Sequence, residues 1–240
     1  MKRNIWTFWA GPKHHIYNQC QISWREYAKD WKINIITPEN MERYMDISTL
    51  PSTLSQLPIT AQSDIIRLNL LCQHGGLWLD ATILLLCKLD WLRIYCKDSY
   101  FCCKAYDAPF VENWLIAVAK PHNPSLEKWY QSLCETLEFW PSVTQAPVYA
   151  HKRYTKNDSY FMMYQCYCHL VDTEDSFIPA IVLSNSVQMA FLPIIVPFGI
   201  DPRCFIKYTS NGRRRAQTCQ TVFNLLWICI LIGIYIKINA

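Results

Sequence analysis

The 240-residue, 28.2 kDa chain is long enough for one domain of ordinary size, or one domain with a tail. Its composition, 51% hydrophobic, 14% aromatic and 18% charged with six Gly and thirteen Pro in no period, excludes a disordered, collagen-like or repeat architecture. The net charge of +4 resides in Arg213, Arg214, Arg215 and Lys237; without these four, 19 basic residues face 19 acidic ones, and so neutral a body excludes a nucleic-acid-binding role.

In chain order, residues 4–9 (NIWTFW) read as a buried strand that ends at Gly11-Pro12. Residues 18–31 space Cys20, Ile22, Trp24, Tyr27, Ala28 and Trp31 as a helix, and Ile33–Ile36 forms a second strand before Thr37-Pro38. Strand, helix and strand in so short a stretch make a βαβ unit with a parallel pair. Residues 60–74 predict a helix capped by Thr60 or Ser63 and ended by Gly75-Gly76. The apolar run 77–86 predicts one central strand, and residues 99–105 a further strand. Helices are expected over 111–119, 125–138 and 158–170, with short strands and loops punctuated by Pro179, Pro193, Pro197 and Pro202 beyond. The body reads as α/β with a mostly parallel sheet. The twelve cysteines include no CxxC pair or zinc spacing, and the stretch Ile5–Ala10 is too short for a signal segment. They read as buried thiols in a reducing compartment.

Chemistry concentrates at one place. Asp80 sits in an almost entirely apolar run, so its carboxyl must be protonated, paired, or bound to a metal or ligand. In one continuous strand, Thr82 shares its face, and the two oxygens offer hard ligands to Mg²⁺ or Mn²⁺. The alternative is an Asp at the end of a shorter strand, capping a turn through Ala81-Thr82. Asp64 and Arg67 are three apart on the preceding helix, the spacing of an ion pair. That helix runs through Gly75-Gly76 into the Asp80 strand, so the three can converge. Such a group suits a polyhydroxylated, phosphate-bearing substrate, with a metal neutralising a diphosphate leaving group.

The stretch S63-D64-I-I-R67-L-N-L-L-C-Q-H-G75-G76-L-W78-L-D80-A-T82 resembles the DXD sugar-binding region of glycosyltransferase family 32. That family includes capsular polysaccharide synthesis proteins and the initiating mannosyltransferase of yeast, and is distantly similar to the glucosyltransferase domains of clostridial toxins. IWTFWAGP resembles the family's opening strand, and residues 112–129 and 159–177 resemble its capsular branch, so the resemblance covers about residues 4–180. It implies a GT-A-like fold over 1–212 and sugar transfer from a nucleoside-diphosphate donor to a glycan or polysaccharide hydroxyl, with retention of configuration. It implies Asp64, Arg67 and Asp80 as the catalytic group and Trp9 or Trp6 as the base-stacking ring. Gly11, Ser63, Gly76, Trp78 and Thr82 would complete the donor site, and Asp80 with Thr82 would hold Mn²⁺ or Mg²⁺. Thr82 departs from the family pattern, standing where a second Asp is the direct metal ligand. Another acid could supply that charge, the metal dependence could be reduced, or the chain could be a non-catalytic nucleotide-sugar or glycan-binding homologue in an assembly complex.

Further candidates carry no diagnostic spacing: Asp107, Glu112, His151 and Asp158 for an acidic or phosphate-binding role, and Glu112-Asn113-Trp114 for a pocket border. His14-His15 reads as a surface pair and His74 as a helix C-terminal partner. Residues 213–240 form a basic and hydrophobic tail. Residues 222–236 span roughly 22 Å as a helix, and extension to Ala216 approaches the ~30 Å of a bilayer core. With three arginines before it, 216–236 is expected to tie a cytoplasmic body to a membrane. A buried hydrophobic helix, or an amphipathic helix lying on the membrane, is the alternative.

Overall fold

The computed structural model describes residues 1–85, 88–96, 99–104, 110–150, 159–183 and 205–207. In chain order these form β1 (Asn4–Phe8), α1 (His15–Tyr27), β2 (Lys32–Ile36), α2 (Ile59–His74), β3 (Gly76–Leu79) and β4 (Ile83–Leu85). There follow α3 (Leu92–Tyr95), β5 (Tyr100–Lys104), β6 (Val111–Val118), α4 (Pro124–Leu137), α5 (Met162–Thr173), β7 (Ile181–Leu183) and β8 (Phe205–Lys207). They fall into two compact units. One draws on Met1–Gly11, Asp30–Asp80 and Asp90–Ser186, the other on Pro12–Lys29, Ala81–Leu89 and the chain from Val187.

The first unit is built on a six-stranded sheet in the order β2-β1-β3-β6-β5-β7. β1 pairs in parallel with β2 and β3, and β5 in parallel with β7, while β6 runs antiparallel between β3 and β5. Among the described strands of this sheet only β6 is reversed, which accords with the expected mostly parallel α/β sheet. The burial of β1 and β3 explains their apolar sequences: Ile5, Leu77, Trp78 and Leu79 are all fully covered. α2 packs against α4, β1 and β3, and α4 against α5. Residues 64–72 of α2 are buried on every side, Asp64, Arg67 and Asn69 included, so the helix is covered nearly all round rather than along one stripe. Trp129 of α4 is fully buried, and its Nε1–H donates to the Met163 carbonyl at 2.8 Å.

In the second unit, α1 packs on β4, and β4 pairs antiparallel with β8. Trp24 Nε1–H donates to the Ile83 carbonyl at 2.7 Å, and the Leu85 amide donates to Ser23 Oγ at 3.0 Å. Two side-chain-to-backbone bonds thus tie a short strand to the helix, giving buried backbone groups their partners.

Four expectations are corrected. Residues 111–119 form a strand, not a helix. All eight residues of β6 are buried, Glu112 and Asn113 included, and a run buried on both faces has no solvent-facing polar side from which period 3.6 and period 2 could be told apart. The run 77–86 is not one strand. β3 ends at Leu79, residues 80–82 turn, and β4 belongs to a different sheet, so the shared strand face of Asp80 and Thr82 does not exist. α1 begins at His15, because the His14 side chain accepts from the Tyr17 amide at 3.2 Å and caps it. α2 begins at Ile59 after Pro58, whose fixed φ suits a helix start, and neither Thr60 nor Ser63 caps it.

Cys72, Cys96, Cys102, Cys103 and Cys166 are buried thiols. Burial pushes the Cys96 thiol up to about 12 and the Cys166 thiol up to about 11. No described helix is long and apolar enough to cross a membrane. The segment 216–236, the tail 213–240, Asp107, His151 and Asp158 lie outside the described residues.

Gly76 opens β3 with φ +97°, and a Cβ there would stand 2.7 Å from the Asn4 carbonyl oxygen of β1. Gly76→Ala combines left-handed strain with an overlap against backbone. It is expected to lower stability by about 2–4 kcal/mol, read as a reduced urea midpoint at unchanged m. An unchanged midpoint would show that β1 and β3 do not need this close approach.

Candidate active site

The site forms where α2, the end of β3, β6 and α5 meet within the first unit. Asp64 and Arg67 lie one turn apart on α2, so both reach the same side of the helix. Asp80 follows β3 directly. Its amide donates to the Trp114 carbonyl of β6 at 2.9 Å, which fixes where the chain leaves the sheet. The β5–β6 register shifts between Cys102 and Cys103, which face Ile116 and Glu112. The irregularity lies at the segment of β6 that carries Asn113, as bulges beside functional sites often do.

Arg67 joins the two acids. Its Nη1 donates to Asp64 Oδ1, and its Nη2 donates to Asp80 Oδ1 at 3.0 Å. Trp78 Nε1–H donates to the same Asp80 oxygen at 2.9 Å, and the Trp78 ring lies 4.8 Å from the guanidinium carbon. Asn113 Nδ2 donates to Asp64 Oδ1 at 3.1 Å, and the Tyr164 hydroxyl donates to Asn113 Oδ1 at 2.8 Å. Met163 Sδ lies 3.4 Å from Arg67 Nη1 and 3.5 Å from Asn113 Nδ2.

Burial decides how these groups behave. The Arg67 side chain is 4% accessible, Asp64 11% and Asp80 23%, so Asp80 marks the open end. Burial alone would depress the Arg67 guanidinium, but Asp64 and Asp80 more than offset it and hold its pKa above the ordinary value. Burial, then Glu112 and Asp64, push the Tyr164 phenol well up, so it stays a hydrogen-bond donor across the physiological range. Burial raises Tyr160 as well, with Asp64, Asp80 and Glu112 adding to it. This half-exposed ring therefore lies within electrostatic reach of all three carboxylates. Two carboxylates against one guanidinium leave the cluster with one net negative charge. Such a centre favours neutral hydroxyls or a cation over a bare phosphate.

The geometry thus brings Asp64, Arg67, Asp80 and Trp78 together. Trp78 is fully buried and braces Arg67 and Asp80 from behind. Arg67 directs its Nη donors at the two acids, so here it orients carboxylates rather than offering itself to phosphate. Ser63 is half-buried next to Asp64. Gly76 stands at the opposite end of β3 from Asp80, about 13 Å away along a strand. Trp6 is 5% exposed: its Nε1–H donates to the Gly75 carbonyl at 2.9 Å and its ring stacks on His74 at 5.2 Å. Trp6 is therefore a core residue, whereas Trp9, just past the end of β1, is half-buried, and Gly11 is exposed with φ +107°. Thr82 is buried in the second unit. His74 ends α2 and bonds the Tyr44 carbonyl at 2.8 Å. Sequence reasoning missed Tyr160, Met163 and Tyr164, and took Asn113 only as part of a pocket border. The aromatic-rich run 159–168 was their only signal.

Among the described residues no three His, Cys, Asp or Glu side chains gather as a metal-holding group. One partly accessible carboxylate with substrate oxygens is nevertheless a usual way to hold Mg²⁺ or Mn²⁺. Asp80 alone could thus supply one ligand to such a cation, the remaining ligands coming from outside the protein.

Comparison with known proteins accords with this geometry. Residues 1–171 match the family described as capsular polysaccharide synthesis protein. The chain is 28% identical over 153 residues to the O-glycosyltransferase braB of Annulohypoxylon truncatum, covering 54% of this chain and 36% of that protein. It is 24% identical over 180 residues to the glycosyltransferase afumC of Aspergillus fumigatus, covering 61% of this chain and 46% of the relative. The chain thus spans less than half the length of these curated relatives. The PaToxG glycosyltransferase shares the fold at a TM-score of 0.51 and 16% identity, over 73% of this chain and 72% of that one. With most of its length matched by one family, and with a glycosyltransferase fold, this chain belongs to the capsular polysaccharide synthesis protein family.

Proposed function

We propose that this chain transfers a sugar from a nucleoside-diphosphate donor to a hydroxyl of a glycan acceptor, with retention at the anomeric carbon. The observation that carries the reading is the bridging of Asp64 and Asp80 by the buried Arg67 at the end of β3. In open α/β sheets, ligands bind outside the carboxyl ends of strands, and Asp80 stands at such an end.

The carboxylates of Asp64 and Asp80 accept from donor-sugar hydroxyls, and Arg67 keeps both oriented without rearrangement during the reaction. The acceptor oxygen bonds to the anomeric carbon as the bond to the diphosphate breaks, and the hydroxyl proton leaves with the diphosphate. Since the cluster is net negative, the departing anion needs compensation from elsewhere. Asp80 would be the residue to hold a divalent cation, which would supply that charge.

The test is a screen of UDP-glucose, UDP-N-acetylglucosamine and GDP-mannose with the full chain, with Mn²⁺ and with chelator, reading released nucleoside diphosphate. Release from one donor is expected, falling by about 10²–10³ in Asp80→Ala and falling with chelator. Release indifferent to chelator would remove the cation from the reading. No release from any donor by folded protein would favour the binding-only homologue.

A further inference from the structure

We propose that Tyr164 is a positioning residue of this site: its phenol holds the Asn113 amide in the one orientation that donates to Asp64. The proposal rests on the transferase reading above and names a residue that acts behind the substrate.

A side-chain amide has two nearly isosteric faces, one donating and one accepting. A carboxylate only accepts, so Asn113 must turn its Nδ2 toward Asp64, as it does at 3.1 Å. Oδ1 then points away from Asp64 into a buried environment, where it requires a donor. The Tyr164 hydroxyl is that donor, at 2.8 Å. The phenol is itself held in place, with the Phe110 ring at 4.5 Å and the Phe161 ring at 5.9 Å.

The neighbouring residue of α5 reads the same orientation from the other side. Met163 Sδ is a weak acceptor, and it receives N–H groups from both Asn113 and Arg67. One turn of α5 thus supplies a donor for the amide oxygen and an acceptor for the amide nitrogen. The orientation passes from Tyr164 through Asn113 to Asp64, and from Asp64 through the guanidinium to Asp80. Tyr164 is 6% exposed and Met163 fully buried. Neither stands at the open end marked by Asp80, so the role is positioning rather than contact with substrate.

The experiment compares the parent, Tyr164→Phe, Asn113→Ala and the double variant, using the donor that the parent hydrolyses among the three named above. Tyr164→Phe keeps the ring and deletes one oxygen. Its kcat is expected to fall about 10–100-fold with donor KM little changed, as for a small misplacement of reacting groups. If Tyr164 acts through Asn113, the double variant is no slower than Asn113→Ala alone. A parent-like kcat in Tyr164→Phe, or losses that multiply in the double variant, overturns the proposal.

A crystal structure of Tyr164→Phe decides the matter independently of turnover, and so separates this proposal from the transferase reading. An Asn113 side chain rotated away, with its Nδ2 beyond 3.5 Å of Asp64, supports it. An Nδ2 that stays at 3.1 Å from Asp64 overturns it, whether or not the parent hydrolyses any donor.

Discussion

Arg67→Met is expected to lower stability by about 3–5 kcal/mol and to abolish measurable turnover. Methionine matches much of the arginine volume, so the loss is one of charge rather than of packing. The Arg67 side chain is 4% accessible and faces two carboxylates, of which Asp64 is 11% accessible. Its removal leaves two like charges close together, one of them shut off from water. Breaking a buried ion pair from one side is costly for this reason, even where the intact pair adds little net stability. Arg67→Lys is expected to recover only part of either loss, because one ammonium cannot present two separated N–H groups to two acids. Urea melts and donor-hydrolysis rates on the same preparations test both statements. Parent-like stability in Arg67→Met would mean that the three-residue bridge is not formed in solution.

Asp64→Asn and Asp80→Asn are expected to separate holding from chemistry. Both keep the side-chain shape and remove a charge. Asp64 is the buried member and takes donors from Arg67 and Asn113. Both donors converge on the same Oδ1, which an amide oxygen can keep, so what the replacement removes is the negative charge that the buried guanidinium faces. Asp64→Asn should therefore cost about 2–3 kcal/mol of stability, as for a hydrogen bond to a charged group lost in the interior, along with a 10²–10³-fold loss of turnover. Asp80 is 23% accessible, so water softens the structural cost, and Asp80→Asn should lose turnover to a similar extent with less than about 1 kcal/mol of stability. Equal stability losses at both positions would contradict the unequal burial on which this contrast rests.

The two acids also differ in how they are held. Asp64 is held by Arg67 of α2 and Asn113 of β6, both of which α5 contacts, while Asp80 depends on Arg67, Trp78 and the backbone bond to Trp114. The rigid acid sits deep and the accessible one sits at the mouth. Half-exposed Tyr160, on the turn before α5, shares the electrostatic field of both.

What could be read from the chain follows from separation in sequence. Asp64, Arg67 and Asp80 belong to one helix–turn–strand unit, and their meeting follows from an i,i+3 spacing and a Gly75-Gly76 exit. The same local logic gives the parallel β1–β2 pair from a strand–helix–strand pattern. The pattern of β6 failed because burial on both faces erases periodicity, and nothing within Val111–Val118 distinguishes a central strand from a core helix. The run 77–86 failed for a related reason. Apolar residues flank the short Asp80-Ala81-Thr82 turn on both sides, since the strand on either side is buried, although β3 and β4 belong to different sheets.

The sequence by itself therefore determined the family, the α/β class and the meeting of the three charged residues of the candidate site, because each is written in local spacing or in one contiguous motif. Only the tertiary structure decided what surrounds them. Asn113 lies 49 residues from Asp64, and Met163 lies 96 residues from Arg67. Their hydrogen bonds exist because packing of α5 and β6 against α2 buries a charge that must then be satisfied from whatever elements the fold brings alongside.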